Sequence, residues 1–539
     1  MKATIIEDKF LETSDGKCSR SQQGMVSTAF PEATQAGVEI LSKGGNAIDA
    51  ACAAAFALGV CEPQSSGIGG QSMAIMHHQN KTIAIDGSSV VPSLAHLSKL
   101  EKGHQRSFGY KATTVPSTVA VLGYLHFRYG KIKWREILQP AIRIAQEGYR
   151  ITQLQHDLQK RELEKFLKVK PKSGAKYFLK DNEPYDVGDL FIQNDLANVL
   201  SEIAENGPRA FYQGLISQRI HDDMEKNDGY IRKDDLARIP WPIERKPISR
   251  KYRNLRIFSM PPPAAGNTLL LVLMMLNYIP PKFIRNNSPE SFHFIAETFR
   301  KSFMYRKQRS YEPNIYFQIP DKKMISYDFA KEQAWSIRDR IDPDLPILDP
   351  IQESTDTTHL SVMDDQGNAI GITQSIELAY GSKAASDGLG FLYNNYMREF
   401  EIKDASHPHY LRPGATPWTS VAPAIVFNKN HLWMVTGSPG GERIYSTVAQ
   451  FLIQMFDKKM SMADAIKSQR MHCSVGGTIY VEESRFDDNI TGYLKDMGYK
   501  IIEKPPFFYG AIHAAMKCIS KNEFHGVAEV RRDGTAGGI

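Results

Sequence analysis

Asp356-Thr357-Thr358-His359-Leu360-Ser361-Val362 holds more structural information than any other stretch of this 539-residue chain. Thr358, Leu360 and Val362 alternate with other side chains at the period of a strand. Asp364-Asp365-Gln366-Gly367-Asn368 has the composition of a hairpin turn, and residues 369–375 read as the return strand. Thr357 stands at the head of this hairpin, directly after a peptide bond. If that bond is cut, Thr357 gains a free α-amino group. Such an amine acts as base for the side-chain hydroxyl of its own residue. One residue then supplies both nucleophile and base, and no Ser-His-Asp constellation is needed.

The pattern upstream is different. Residues 307–356 are rich in Pro and Asp with little periodicity, and read as a long connection. Before it, residues 255–260 read as a strand stopped by Pro261-Pro262-Pro263, and residues 268–278 as a helix opened by Ala264-Ala265-Gly266-Asn267. Residues 1–24 read as a loose polar arm. A helix over 31–43 is stopped by Gly44-Gly45. Asn46 then caps an Ala-rich helix over 47–60 that is apolar nearly all round and therefore buried. Gly67-Ile68-Gly69-Gly70 is a loop that lets backbone approach a neighbour closely. Residues 73–76 and 82–86 read as paired strands about a turn region at 77–81, and residues 134–240 as mainly helical and charged. Downstream of the hairpin, residues 424–428 and 432–436 read as strands. Gly437-Ser438-Pro439-Gly440-Gly441 then leads into a helix over 444–455.

Composition narrows the function classes. The net charge of +6 is a small difference between 66 basic and 60 acidic residues, which argues against nucleic acid or an anionic membrane as partner. The Lys-rich run over 160–172 reads as a solvated helix face. Five cysteines, an odd number without a C-x-x-C pair, point away from a disulfide framework and toward a reducing compartment. Neither a secretory leader nor a membrane-spanning apolar run is legible, so the expected location is cytoplasmic. His77-His78 and His407-Pro408-His409 lack carboxylate or Cys partners at ligand spacing, and no metal is expected. No phosphate-binding loop is present, and Gly67 to Gly70 follows a helix, the wrong context for a dinucleotide fingerprint. No cofactor is expected.

Taken in order, Gly44 to Ala50, Gly67 to Gly70, Met260 to Pro263, Thr357 to Val362, Asn394-Asn395-Tyr396-Met397, Gly437 to Gly441 and the tail from Gly526 to Gly538 resemble the γ-glutamyltranspeptidase family of N-terminal-nucleophile hydrolases. The resemblance covers nearly the whole chain. It implies an α+β fold, a four-layer αββα sandwich with two antiparallel sheets between helical layers. It implies self-cleavage between Asp356 and Thr357. The products, 1–356 and 357–539, would stay together as a heterodimer interleaved in one structural domain, with further dimerisation left open. Mature Thr357 would attack a small-molecule amide, giving an acyl-enzyme resolved by water or an amine. Ser375 matches the family's second hydroxyl, which orients the nucleophile, and Gly440 and Gly441 match its oxyanion donors.

The expected substrate pocket departs from the family. Ser88 stands where the family has the arginine that holds the α-carboxylate, and no arginine is near it in sequence. Loss of that bidentate contact costs about 1.5–3 kcal/mol of binding. Thr419 and Ser420 match the paired hydroxyls on the same carboxylate. Glu399 stands for the aspartate on the α-amino group, Glu377 for an asparagine beside it, and Tyr396 for a polar amide. Arg398 is an added cation, either a displaced carboxylate ligand or a partner of Glu399 or Glu377. The short segment between Glu399 and Thr419 implies an open pocket. Three readings follow: a γ-glutamyl enzyme on glutathione-like donors, an acylase or amidohydrolase on another small amide, and an uncleaved, non-catalytic binding protein.

Overall fold

Thr358 to Asp364 and Ala369 to Ser375 form the expected hairpin, and both strands are buried along their whole length. A strand buried on both faces needs a layer on each side, and the rest of the chain supplies those layers. In the computed structural model, which describes residues 12–96, 103–308, 321–337, 356–407 and 409–539, fourteen strands build two sheets. They are β1 (Cys18–Ser21), β2 (Gly24–Thr28), β3 (Gln71–His78), β4 (Lys81–Gly87), β5 (Ile243–Arg245), β6 (Ile248–Tyr252) and β7 (Leu255–Ser259). After Thr357 come β8 (Thr358–Asp364), β9 (Ala369–Ser375), β10 (Ala424–Asn428), β11 (His431–Gly437), β12 (His513–Cys518), β13 (Glu523–Ala528) and β14 (Thr535–Gly538).

Sheet I runs β14-β2-β8-β9-β3-β4-β5 and sheet II runs β1-β13-β12-β11-β10-β7-β6, with antiparallel neighbours throughout. Met73, Ile75, Met363, Ile425, Val435 and Ala515 fill the space between the sheets. Outside sheet I lie α1 (Pro31–Ser42) and α2 (Ala47–Cys61), packed on Leu360, Val362, Ile370 and Ile372. Outside sheet II lie α3 (Gly266–Tyr278) and α4 (Ile444–Phe456). The result is the αββα sandwich.

α2 shows how local sequence fixes a layer. The Asn46 side chain accepts from the amides of Ile48 and Asp49, and Asp49 returns a bond to the Asn46 amide, a reciprocal cap. Asp364, at the hairpin turn, accepts from the Ala47 amide at 2.8 Å, so the turn of the nucleophile hairpin also anchors the helix start. Every residue of α2 except Gly59 is buried.

Several expectations need correction. The 1–24 arm is not wholly loose: Cys18–Ser21 pairs with β13 and Gly24 opens β2, while residues 1–11 lie outside the described residues. The turn expected at 77–81 is a two-residue turn at Gln79-Asn80, both with positive φ. Within 307–356, which read as unstructured connection, Asp321–Met324 and Tyr327–Trp335 are helical, and Ala330 and Ala334 pack on the sheet II helices. The remainder, 309–320 and 338–355, lies outside the described residues. Among the described residues no helix is long and apolar enough to cross a membrane.

Candidate active site

Sheet register sets up the site. Thr358 pairs with Gln374, Ser375 with Gln71, and Ser72 with Gly87. Continuing these registers by one residue lines Thr357, Ser375, Gln71 and Ser88 along one end of four adjacent strands. Side chains one strand apart on the same face are neighbours, so four polar groups distant in sequence become a row.

The hydrogen bonds at Thr357 have fixed directions. The Thr357 hydroxyl donates to Ser375 Oγ at 3.3 Å, the Glu377 amide donates to the same oxygen at 2.8 Å, and Ser375 Oγ donates to the Asp356 carbonyl oxygen at 3.0 Å. A hydroxyl has one proton. Ser375 spends it on the carbonyl of the bond preceding Thr357, and accepts the proton of Thr357. The Asp356 amide donates to the Glu377 carbonyl at 2.9 Å, so the backbone around Glu377 brackets both residues of the Asp356–Thr357 bond. Gly70 makes this possible: a Cβ there would sit 2.3 Å from the Ser375 carbonyl oxygen. Thr357 is 5% exposed and Asp356 1%. In the continuous chain the nucleophile is therefore buried.

Glu377 follows the strand with φ +83°, a left-handed conformation rare for a side chain of its size. Its carboxyl is buried, and Oε1 has no hydrogen-bond partner among the described residues. Burial first, and then the carboxylate of Glu399, hold its pKa well above the usual carboxyl range; Arg398 opposes the shift, and Glu442 adds to it. Arg398 Nε lies 3.3 Å from Glu399 Oε1, so the added cation is a partner of Glu399. Tyr396 is buried, its hydroxyl against Ser375 and Gln71, and burial followed by Glu377 keeps its proton on.

Gly440 and Gly441 have φ of +123° and +54°, and a Cβ on Gly440 would press on the Gly510 backbone at 3.0 Å. Gly437, at the end of β11, lies under the His359 ring, where a Cβ would come within 2.4 Å. The turn thus leaves sheet II directly against the nucleophile strand, and the field of Glu442 at Glu377 places the turn beside the pocket. Thr419 is reached differently. Its amide donates to Pro263 and its carbonyl accepts from Arg306, so the Pro261-Pro262-Pro263 stop braces the Thr419-Ser420 segment.

Ser88 donates to Asp86 Oδ1 at 2.7 Å, and Arg245 Nε donates to Asp86 Oδ2 at 2.7 Å. An arginine absent from the sequence around Ser88 does arrive there, from the edge strand β5, but its contact is with Asp86. Sequence reasoning also missed Gln71, which accepts from the Ser89 amide and hydroxyl, and Arg532, 3.2 Å from Asp356 Oδ1, while Asn394, read only as part of the Asn394 to Met397 motif, cross-links Gly69 and Thr114. Among these, the tail motif pointed to Arg532 only as a segment, and strand alternation could have found Gln71. All five cysteines are buried, and none is in a disulfide. The one group of metal-ligating type among the described residues, Cys518, Glu523 and His525, lies on the β12–β13 hairpin, and neither His77-His78 nor His407 and His409 belongs to such a group.

A family model described as gamma-glutamyltranspeptidase matches residues 33–539. The glutathione hydrolase proenzyme of Escherichia coli (strain K12) is 34% identical over 84% of this chain and 81% of its own length. The acylase ACY 1 proenzyme of Pseudomonas sp. (strain V22) is 30% identical over 97% of this chain and 95% of its own length. A crystal structure of cephalosporin acylase from Bacillus halodurans superposes with a TM-score of 0.89 at 26% identity, covering 99% of this chain and 98% of that one.

Proposed function

From the premise that this chain belongs to the γ-glutamyltranspeptidase family and is an enzyme of its N-terminal-nucleophile type, we propose that it cuts itself between Asp356 and Thr357 and then cleaves a small amide through Thr357. The observation that carries this reading is the hydrogen-bonded sequence from Thr357 Oγ1 through Ser375 Oγ to the Asp356 carbonyl. Attack by Thr357 Oγ1 forms a C–O bond to the Asp356 carbonyl carbon. The oxyanion develops on the atom that Ser375 already donates to. The C–N bond breaks, the nitrogen takes the proton that the Thr357 hydroxyl gave up, and an ester remains. Water hydrolyses the ester to an Asp356 carboxylate and the Thr357 hydroxyl, leaving Thr357 with a free amine.

The freed amine then serves as base when Thr357 attacks substrate, Gly440 and Gly441 receive the oxyanion, and water or an amine resolves the acyl-enzyme. Residues 1–356 and 357–539 remain associated, without cofactor or metal. Five cysteines, none of them in a disulfide, support a reducing, cytoplasmic setting.

Within this chemistry an acylase or amidohydrolase with a non-γ-glutamyl donor is the better-supported version. Ser88 offers no guanidinium, the nearby Arg245 is bonded to Asp86, and the residues expected at the amine end are a buried Tyr396 and a buried Glu377 whose pKa is raised. Acylases and glutathione hydrolases both appear among the relatives. A denaturing gel of purified protein is expected to show two bands for wild type and one for Thr357→Ala. A single full-length wild-type band after long incubation leaves only the binding-protein reading. Turnover of a γ-glutamyl-anilide compared with simple acyl-anilides then separates the two donor classes.

A further inference from the structure

Behind the Asp356–Thr357 bond, on the side away from Ser375, lies a second polar cluster that substrate chemistry does not use. Thr358 stands two residues before Leu360, in phase with the face that packs on α2. Glu62, the residue that ends α2, is 3% exposed. The Thr358 hydroxyl approaches its carboxyl, Asp356 and Arg532 lie within its electrostatic reach, and Ser65 donates to Oε1 at 3.1 Å. Glu62 Oε2, Asp356 Oδ2 and Thr358 Oγ1 are all buried, and none has a well-directed hydrogen bond among the described residues. Three unsatisfied oxygens are costly unless a proton links them. Two of these oxygens belong to the residues flanking Thr357.

We propose that Glu62 is a positioning residue for self-cleavage, clamping Asp356 and Thr358 on either side of the nucleophile so that the Asp356 carbonyl stays on Ser375 Oγ. The inference rests on the reading that the chain cuts itself before Thr357. The clamp needs one proton. As an acid, Glu62 would have a proton to give Asp356 Oδ2 and an oxygen to accept from Thr358. As a carboxylate it faces a second carboxyl with no donor between them. Burial first, with Asp356 adding to it and Thr358, Arg532 and Ser65 opposing, pushes the Glu62 carboxyl up to about 8. A carboxyl raised in this way keeps its proton at lower pH and loses it as pH rises through about 8. The clamp therefore holds below that value and opens above it.

Of the other titrating groups around it, the Cys61 thiol and the Tyr380 phenol, which faces Asp356, are both raised further and stay neutral there. Lys383, brought down to about 8 by burial and bonded to Glu162, titrates in the same range. A Glu62 variant leaves Lys383 in place and so separates the two.

The test uses the full chain made by cell-free synthesis and transferred to buffers spanning about pH 6 to about pH 10, with loss of precursor followed on denaturing gels. In Glu62→Gln the amide donates at every pH. The ratio of wild-type to Glu62→Gln cleavage rates is expected to be flat below about 8 and to fall about tenfold per pH unit above it. Glu62→Ala is expected to cleave slowly at every pH, with its fold checked by thermal melting. A rate ratio independent of pH, or Glu62→Ala cleaving at the wild-type rate, overturns the assignment of Glu62 alone. Wild type that never cleaves at any pH overturns the self-cleavage reading beneath it.

Discussion

At the residue scale, direction matters more than proximity. Ser375 Oγ accepts from Thr357 and Glu377 and donates only to the Asp356 carbonyl, so its single proton is already placed where charge develops. Glu377 carries the question of substrate. Its pKa is raised well above the usual carboxyl range, by burial first and then by Glu399, which favours its protonated form. A donor bearing an ammonium group is best received by its ionised form. The kcat/KM of the mature enzyme for such a donor is therefore expected to rise as pH rises into the range where Glu377 ionises. Glu377→Gln flattens that rise, and a donor without an ammonium group does not show it. Identical pH profiles for the two donor types would show that Glu377 does not meet the amine.

At the scale of elements, the site depends on one loop that ends a helix and one that ends a strand. Gly67 to Gly70 passes so close to the end of β9 that any side chain at Gly70 meets the Ser375 carbonyl. Backbone cannot yield as a side-chain tip can, so the strand end must move. Gly70→Ala is expected to remain folded, with a lower melting temperature, and to cut itself at least about 10²-fold more slowly, because a displacement near 1 Å is enough to lose a near-attack geometry. Time courses on denaturing gels measure this directly. Wild-type cleavage rates in Gly70→Ala would mean that the loop relaxes without moving Ser375.

At the scale of the molecule, both sheets mix strands from either side of Thr357. Sheet I places β8, β9 and β14 among β2 to β5, and sheet II places β10 to β13 among β1, β6 and β7. Cutting the Asp356–Thr357 bond removes no strand pairing. The two fragments are expected to co-purify through size exclusion and to separate only in denaturant. Residues 357–539 expressed alone would lack β3 beside β9 and β7 beside β10, leaving unpaired strand edges, and would show no cooperative unfolding transition. Separation of the fragments under native conditions would contradict this.

The hairpin of β8 and β9, the cap at Asn46 and the glycine turn at Gly437 to Gly441 were legible in the chain because they depend on local periodicity, capping and turn chemistry. The motif order carried the family, and with it the αββα layers and the candidate roles of Thr357, Ser375, Gly440 and Gly441. What the chain could not show was anything assembled by sheet register or by a long crossover. Gln71 joins Ser375 only because β3 pairs with β9 in that phase. Arg245 comes to Asp86 from an edge strand about 160 residues away. Arg532 contacts Asp356, and Glu62 comes within its electrostatic reach, from opposite ends of the chain. Burial decided the rest: nothing local in the sequence marks Glu62 or Glu377 as unusual carboxyls, and only the enclosing tertiary structure, by removing water from around them, raises their pKa and favours their protonated forms.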